Sequence, residues 1–291
     1  MPRVGIALLY KKADLPPAQV HYNIPYASDS NVPKHRLDLF VPSGTNWPVF
    51  IFVYGGGWTE GDKNLRVGGA DVYGNIGRFY AAQGIGAAVI NYRLLPTVRW
   101  RDQIADVAQA TAWVHAHIAE YGGDPQRLFI GGHSAGAQLV TRVALDPEPL
   151  PRVGLSPSNL CGVIPVSGAG LDLTDAKSYA LGESLAYFAQ RFDTGKRDWQ
   201  RDASPVGYAH PGAPPFLILY CGGEKQSLKR QSQRLSEVLS QNGISNQTVI
   251  VPGQSHARIV LTLSRPNKTA SPAILNFIRN TKCPVPPIQS H

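Results

Sequence analysis

The chain has 291 residues, 43% hydrophobic and 16% charged, which is enough length and apolar content to bury a sizeable core as one domain spanning 1–291. No apolar run approaches the length of a membrane span. The formal net charge of +8 is carried by scattered lysines and arginines rather than by a basic stripe, so neither a membrane-spanning segment nor a nucleic-acid partner is expected.

Met1 to Tyr10 has too short an apolar part for a signal peptide, which points to a soluble, cytoplasmic protein, although an exported one with its leader removed would read the same. Residues 1–35 read as an N-terminal extension. The first buried strand is the continuous apolar run Val49–Val53, which leads straight into Tyr54-Gly55-Gly56-Gly57-Trp58. Three consecutive glycines are costly to order. A chain accepts that cost where backbone N–H groups must come close to a ligand. Helical spacing follows at about 71–83, a strand at 86–92, and a longer helix at 101–121 carrying Ile104, Val107, Ala108, Val114 and Ile118 on its apolar face. Strand 128–132 then runs into Gly132-His133-Ser134-Ala135-Gly136, and a helix-compatible stretch continues over 135–145. Further strands are expected at 161–167, 216–221 and 247–251, and helices at 226–241 and 272–281. This βαβα alternation argues for an α/β fold with a parallel sheet covered on both faces.

A G-x-S-x-G sequence between a strand and a helix lets the chain turn sharply and lifts the serine hydroxyl above the sheet, so Ser134 is the candidate nucleophile. Attack on an acyl carbonyl also needs donors aimed at the oxygen that turns negative. Gly56, Gly57 and Ala135 are the candidates, the last because its N–H opens the following helix. A serine needs a base and the base needs an orienting carboxylate. Of the eight histidines, His115 and His117 lie inside a helix, His133 sits in the turn with its side chain expected to point away from the hydroxyl, and His21, His35, His210 and His291 lack a strand-end context. His256 follows a strand and a Pro252-Gly253 turn signal, which makes it the candidate base. The carboxylate should stand at the end of another strand. Glu224, after Gly222-Gly223, is the first choice and Asp172, in Gly170-Leu171-Asp172, the rival.

With its strand-Y-G-G-G-W, Asn91-Tyr92-Arg93-Leu94, Gly123-Asp124-Pro125 before G-H-S-A-G, G-G-E and a late histidine, the chain resembles the α/β-hydrolase superfamily. The likeness runs from about Arg36 to Ile278 and is to the esterase branch that includes small carboxylesterases, hormone-sensitive-lipase-like and kynurenine formamidase-like enzymes. It implies a mostly parallel eight-stranded sheet and a Ser134, Glu224, His256 triad working without a cofactor. Two positions depart from the pattern: Tyr54 stands where a histidine usually opens the oxyanion loop, and Glu224 replaces the commoner aspartate.

The segment 171–215 is too long for a simple connection and mixes Tyr179, Leu181, Leu185, Tyr187, Phe188, Phe192 and Trp199 with charges, so it reads as a small helical cap insertion near the site. Trp58 is the expected pocket wall. Nothing in the sequence supports a preference for an anionic substrate, and Arg258, two residues after His256, is the one basic side chain positioned to test it. Cys161, Cys221 and Cys283 cannot all pair and read as small core hydrophobes, and no spacing fits a metal site. The expected activity is a serine hydrolase cleaving small-molecule esters with short acyl chains. A formamidase-type amidase and a non-catalytic binding protein are the alternatives, and a homo-oligomer stays open.

Overall fold

The computed structural model describes residues 10–28, 31–266 and 268–284. Residues 1–9, most of the stretch read for a leader, and His291 lie outside them. The framework is one eight-stranded sheet built from β1 (Val20–Pro25), β2 (Arg36–Phe40), β3 (Trp47–Val53), β6 (Gly86–Ile90), β7 (Gly123–His133), β8 (Leu160–Val166), β9 (Phe216–Cys221) and β10 (Asn246–Val251). Their spatial order is β1-β2-β6-β3-β7-β8-β9-β10. The β1/β2 and β2/β6 pairs are antiparallel and all the others parallel. Every residue of β3, β6, β8 and β9 is buried, as expected of strands covered on both faces by crossover helices.

Between the strands run the helices Val72–Ala82, Trp100–His117, Ala135–Leu145, Gln226–Gln241 and Ala270–Asn280. The expected helix at 101–121 tightens into a 3-10 turn over Ile118–Tyr121, and Gly122 closes it in the left-handed region. A small hairpin, β4 (Arg66–Val67) and β5 (Ala70–Asp71), stands between the glycine loop and the next helix.

Besides that hairpin, the structure adds two strands of the main sheet, β1 and β2, to the sequence reading. β1 falls in the stretch set aside as an N-terminal extension, yet it forms the edge of the main sheet, with Tyr22 and Asn23 exposed. Beside it, Lys63 is fully buried and donates to Asp38 of β2 and to Asn23, tying both strands to the loop that follows the glycines. The cysteine reading needs correction. Cys161 and Cys283 form a disulfide, pinning the chain just beyond the last helix to β8, and only Cys221 is a free buried thiol. Among the described residues no helix is long and apolar enough to cross a membrane.

Segment 171–215 holds the short helices Ala176–Ala180, Leu185–Phe192 and Trp199–Ala203 and a 3-10 turn Pro205–Tyr208. Phe188, Phe192 and Trp199 are buried beneath it, while Leu181, Leu185 and Tyr187 stay exposed. It lies over the C-terminal ends of the parallel strands, the edge at which open α/β sheets gather their reactive groups.

Candidate active site

Ser134 sits at the junction of β7 and the helix Ala135–Leu145 with φ +56° and ψ −115°, a strained conformation for a residue with a side chain. The flanking glycines make that turn possible. A Cβ on Gly136 would lie 2.3 Å from the carbonyl oxygen of Val53, and one on Gly132 would lie 2.5 Å from the carbonyl of Gly136. The elbow is thus pressed against the end of β3, and the Ser134 N–H is held by the Val166 carbonyl at 3.0 Å.

Three strands away, the loop after β10 brings His256 over the serine. Nε2 lies 2.9 Å from Ser134 Oγ, and Nδ1 lies 3.2 Å from Oε1 of Glu224, which stands just beyond β9. With Nδ1–H donating to the carboxylate, Nε2 is left to accept the serine proton. The Glu224 side chain has no exposed surface, and its Oε2 has no hydrogen-bond partner among the described residues. Nearby, burial and then the charge of Glu224 push the Cys221 thiol up to about 12, so it stays protonated beside the carboxylate. The rival Asp172 is engaged elsewhere. It is paired with Arg234 at 2.9 Å and accepts from the Thr174 hydroxyl at 2.6 Å.

His133 has a role that sequence reasoning missed. Its Nε2–H donates to the backbone carbonyl of His256 at 2.8 Å, and the two rings lie 4.8 Å apart. Burial, reinforced by repulsion from His256, pushes its pKa down to about 3, so the ring is neutral and serves as a fixed donor beneath the loop.

The glycine loop is held by its carbonyls. Gly56 O accepts from the N–H groups of Thr59 and Glu60 at 3.2 and 3.1 Å, and Gly57 O accepts from Arg191 Nε at 2.9 Å. The N–H groups of Gly56 and Gly57 donate no backbone hydrogen bond among the described residues, and that of Ala135 begins a helix, where the chain supplies no carbonyl. Tyr54, in place of the usual histidine, steadies the loop by packing. It is buried in a stack between Tyr73 and Tyr92, with ring centroids 5.7 and 4.7 Å away, and its carbonyl accepts from the Tyr92 hydroxyl at 3.2 Å. Burial raises its phenol far above the ordinary value, so it stays neutral.

Trp58 is not the pocket wall. Its φ of +65° turns the ring into the core, where it has no exposed surface, donates from Nε1 to Gln138 Oε1 at 3.1 Å and meets Phe192 edge-on at 4.8 Å. The cleft at Ser134, about 670 Å³, is walled by Leu65, Val67, Val72, Tyr73, Val260 and Leu261 on its apolar side and by Tyr187 and Arg191 from segment 171–215. Arg258 is exposed and does not line it.

Residues 37–150 match the BD-FAE family model. Esterase LipQ of Mycobacterium tuberculosis is 30% identical over 270 residues, covering 88% of this chain and 61% of LipQ. LipM of the same organism, described as a probable carboxylic ester hydrolase, is 33% identical over 77% of this chain and 52% of its own length. Esterase B of Lactobacillus rhamnosus superposes with a TM-score of 0.74 at 23% identity, covering 95% of this chain and 89% of that one. The chain has the fold of the α/β-hydrolases and is similar in sequence to esterases on their carboxylesterase branch. It spans only about half to three-fifths of the length of these curated esterases. The BD-FAE match takes in the glycine loop and the serine elbow but stops before Glu224 and His256, which the fold brings to Ser134.

Proposed function

We propose that the protein is a serine carboxylic ester hydrolase acting on short-acyl esters through an acyl-enzyme intermediate. The single observation that carries this reading is the continuous contact chain Ser134 Oγ to His256 Nε2 to Nδ1 to Glu224 Oε1, at 2.9 and 3.2 Å. In the first half-reaction Nε2 takes the Oγ proton as Oγ attacks the acyl carbon. The oxyanion so formed is met by the N–H groups of Gly56, Gly57 and Ala135, and the buried Glu224 stabilises the imidazolium. Collapse breaks the bond to the alcohol, which leaves with the Nε2 proton. Water then repeats the sequence on the acyl-serine, giving its proton to Nε2 and releasing the acid with Ser134 restored.

Segment 171–215 acts as a small cap within a single domain, limiting the acyl group by the wall that Tyr187 and Arg191 present to the cleft. The Cys161–Cys283 disulfide favours an oxidising compartment over the cytoplasm. The test of the central reading is hydrolysis of p-nitrophenyl acetate together with fluorophosphonate labelling read by intact-protein mass spectrometry. The parent protein should turn over the ester and gain one adduct, and Ser134→Ala should do neither. A Ser134→Ala protein working at the parent rate would refute the mechanism.

A further inference from the structure

Arg191 is held in an unusual way for a charged side chain beside a reactive centre. Its Nε donates to Gly57 O at 2.9 Å, its Nη1 donates to Tyr187 O at 2.8 Å, and the guanidinium lies 3.5 Å over the Tyr187 ring. Two carbonyls and a ring face fix the fork, while Nη2 donates to no described group. Among the described residues no carboxylate lies within ion-pair distance of Arg191, although Arg78, Arg93, Arg142, Arg230 and Arg234 each have an aspartate. The Tyr187 hydroxyl also has no partner among the described residues. Both unused donors face one spot: a Cβ placed on Gly57 would lie 2.5 Å from Tyr187 Oη and 4.0 Å from Arg191 Nη2. That glycine carries one of the N–H groups assigned to the oxyanion, and Arg191, Tyr187 and Ser134 line the same cleft.

We propose that Arg191 and Tyr187 form a carboxylate subsite, and that the preferred substrates are half-esters of short dicarboxylic acids, whose acyl part ends in a free carboxylate. The inference rests on the hydrolase reading above. A carboxylate has one oxygen for Arg191 Nη2 and one for the Tyr187 hydroxyl, and a partly shielded guanidinium with a spare N–H makes a stronger bond to an anion than to a neutral acceptor. The closeness of both donors to Gly57 calls for a short spacer between the scissile carbonyl and the free carboxylate. The apolar wall of Leu65, Val67, Val260 and Leu261 then takes the alcohol part. Glu60 also lines the cleft but is exposed on its rim, so the positive charge at Arg191 keeps its local effect.

The experiment compares kcat/KM for monomethyl succinate and for methyl butyrate, a neutral acyl group of similar length, at low and at high salt. The parent protein should favour the half-ester by about 10-fold or more at low salt, and the ratio should shrink as salt rises. Arg191 also holds the Gly57 carbonyl, so Arg191→Gln lowers both rates and the ratio is the readout. It should fall toward one in Arg191→Gln and decrease in Tyr187→Phe, whose arginine remains. A parent ratio of one or below while methyl butyrate is hydrolysed, or a ratio unchanged in both variants, overturns the subsite. If no ester is cleaved, the hydrolase reading fails by itself, and calorimetric titration of succinate into Ser134→Ala decides the subsite. Binding that disappears in Ser134→Ala/Arg191→Gln upholds it, and absence of binding refutes it.

Discussion

Replacing Gly56 by alanine tests the oxyanion loop most directly, because the obstacle there is backbone. Gly56 has φ +127°, outside the regions open to residues with a side chain, and its added Cβ would lie 2.0 Å from the carbonyl oxygen of Glu60 and 2.8 Å from its carbonyl carbon. Bringing the first contact to an ordinary separation requires about 1 Å of backbone movement, and a displacement of that size at a reacting centre costs about 10²-fold. The Glu60 N–H, together with that of Thr59, also holds the Gly56 carbonyl, at 3.1 and 3.2 Å, so the same shift rotates the peptide carrying the Gly57 N–H. Loss of one aimed donor costs about 10²–10³ in rate, and Gly56→Ala is expected to lose about 10³ in kcat/KM on p-nitrophenyl acetate. Gly57→Ala supplies the contrast. Its φ of +57° lies in the left-handed region, where alanine costs about 1–2 kcal/mol, and its Cβ meets the Tyr187 hydroxyl, the end of an exposed side chain that can swing away. It should lose no more than about 10-fold. Circular dichroism and thermal melting establish that both variants fold. A folded Gly56→Ala protein within about threefold of the parent would show that these N–H groups do not receive the oxyanion, and a Gly57→Ala protein as impaired as Gly56→Ala would show that the backbone obstacle at Glu60 is not what sets the loss.

Glu224→Gln should lower kcat by about 10⁴, the scale of the corresponding carboxylate-to-amide change in a serine triad, while Asp172→Asn, which loses a pairing with Arg234, should act on melting temperature and leave kcat within a few-fold. His133 has a folded pKa of about 3 against about 6.5 unfolded, so between these values the unfolded chain binds the extra proton. Its contribution to stability is complete above about pH 6.5 and is lost as pH falls, by up to ~5 kcal/mol near pH 3; urea melts from pH 7 to pH 4 should show a shallower decline in His133→Gln than in the parent. The Cys161–Cys283 bridge closes a separation of 122 residues, for which chain entropy gives a ceiling of about 5 kcal/mol, so Cys161→Ser/Cys283→Ser should melt well below the oxidised parent. Thiol titration of the unfolded parent should find one free thiol before reduction and three after it, and three at the outset would refute the bridge.

The parts legible in the sequence are those whose signal is local. Ser134 and Glu224 follow buried apolar strands and His256 follows the edge strand β10, each with a glycine-containing turn, and in a parallel sheet such positions converge on one edge whatever lies between them in the chain. The helix Gln226–Gln241 falls at its expected bounds because its apolar positions repeat at helical spacing over several turns. β1 carries no such mark. As an edge strand with Tyr22 and Asn23 exposed, it has little need of an apolar run. A disulfide between Cys161 and Cys283 depends on where the last helix ends, which spacing does not encode.

Trp58 and Arg191 show how side-chain direction escapes a linear reading. Trp58 adjoins the glycine loop and would line the cleft on an extended backbone, but its left-handed φ sends the ring inward to Gln138 and Phe192. The space that it leaves at the cleft is filled from residues more than a hundred positions later, by a helix whose sequence Leu185-Ala186-Tyr187-Phe188-Ala189-Gln190-Arg191-Phe192 already contains the division. Phe188 and Phe192, four apart, are buried against Trp58 on one face, while Tyr187 and Arg191, also four apart, are carried together on the adjoining face. Docking of the apolar pair therefore determines where the polar pair points. A substitution that weakens the seat of Phe188 on Trp58 should loosen the Arg191 hold on the Gly57 carbonyl without touching the cleft. Phe188→Ala should accordingly lose rate as well as stability, and a protein that lost stability alone would show that the cap and the oxyanion loop are not coupled through this helix.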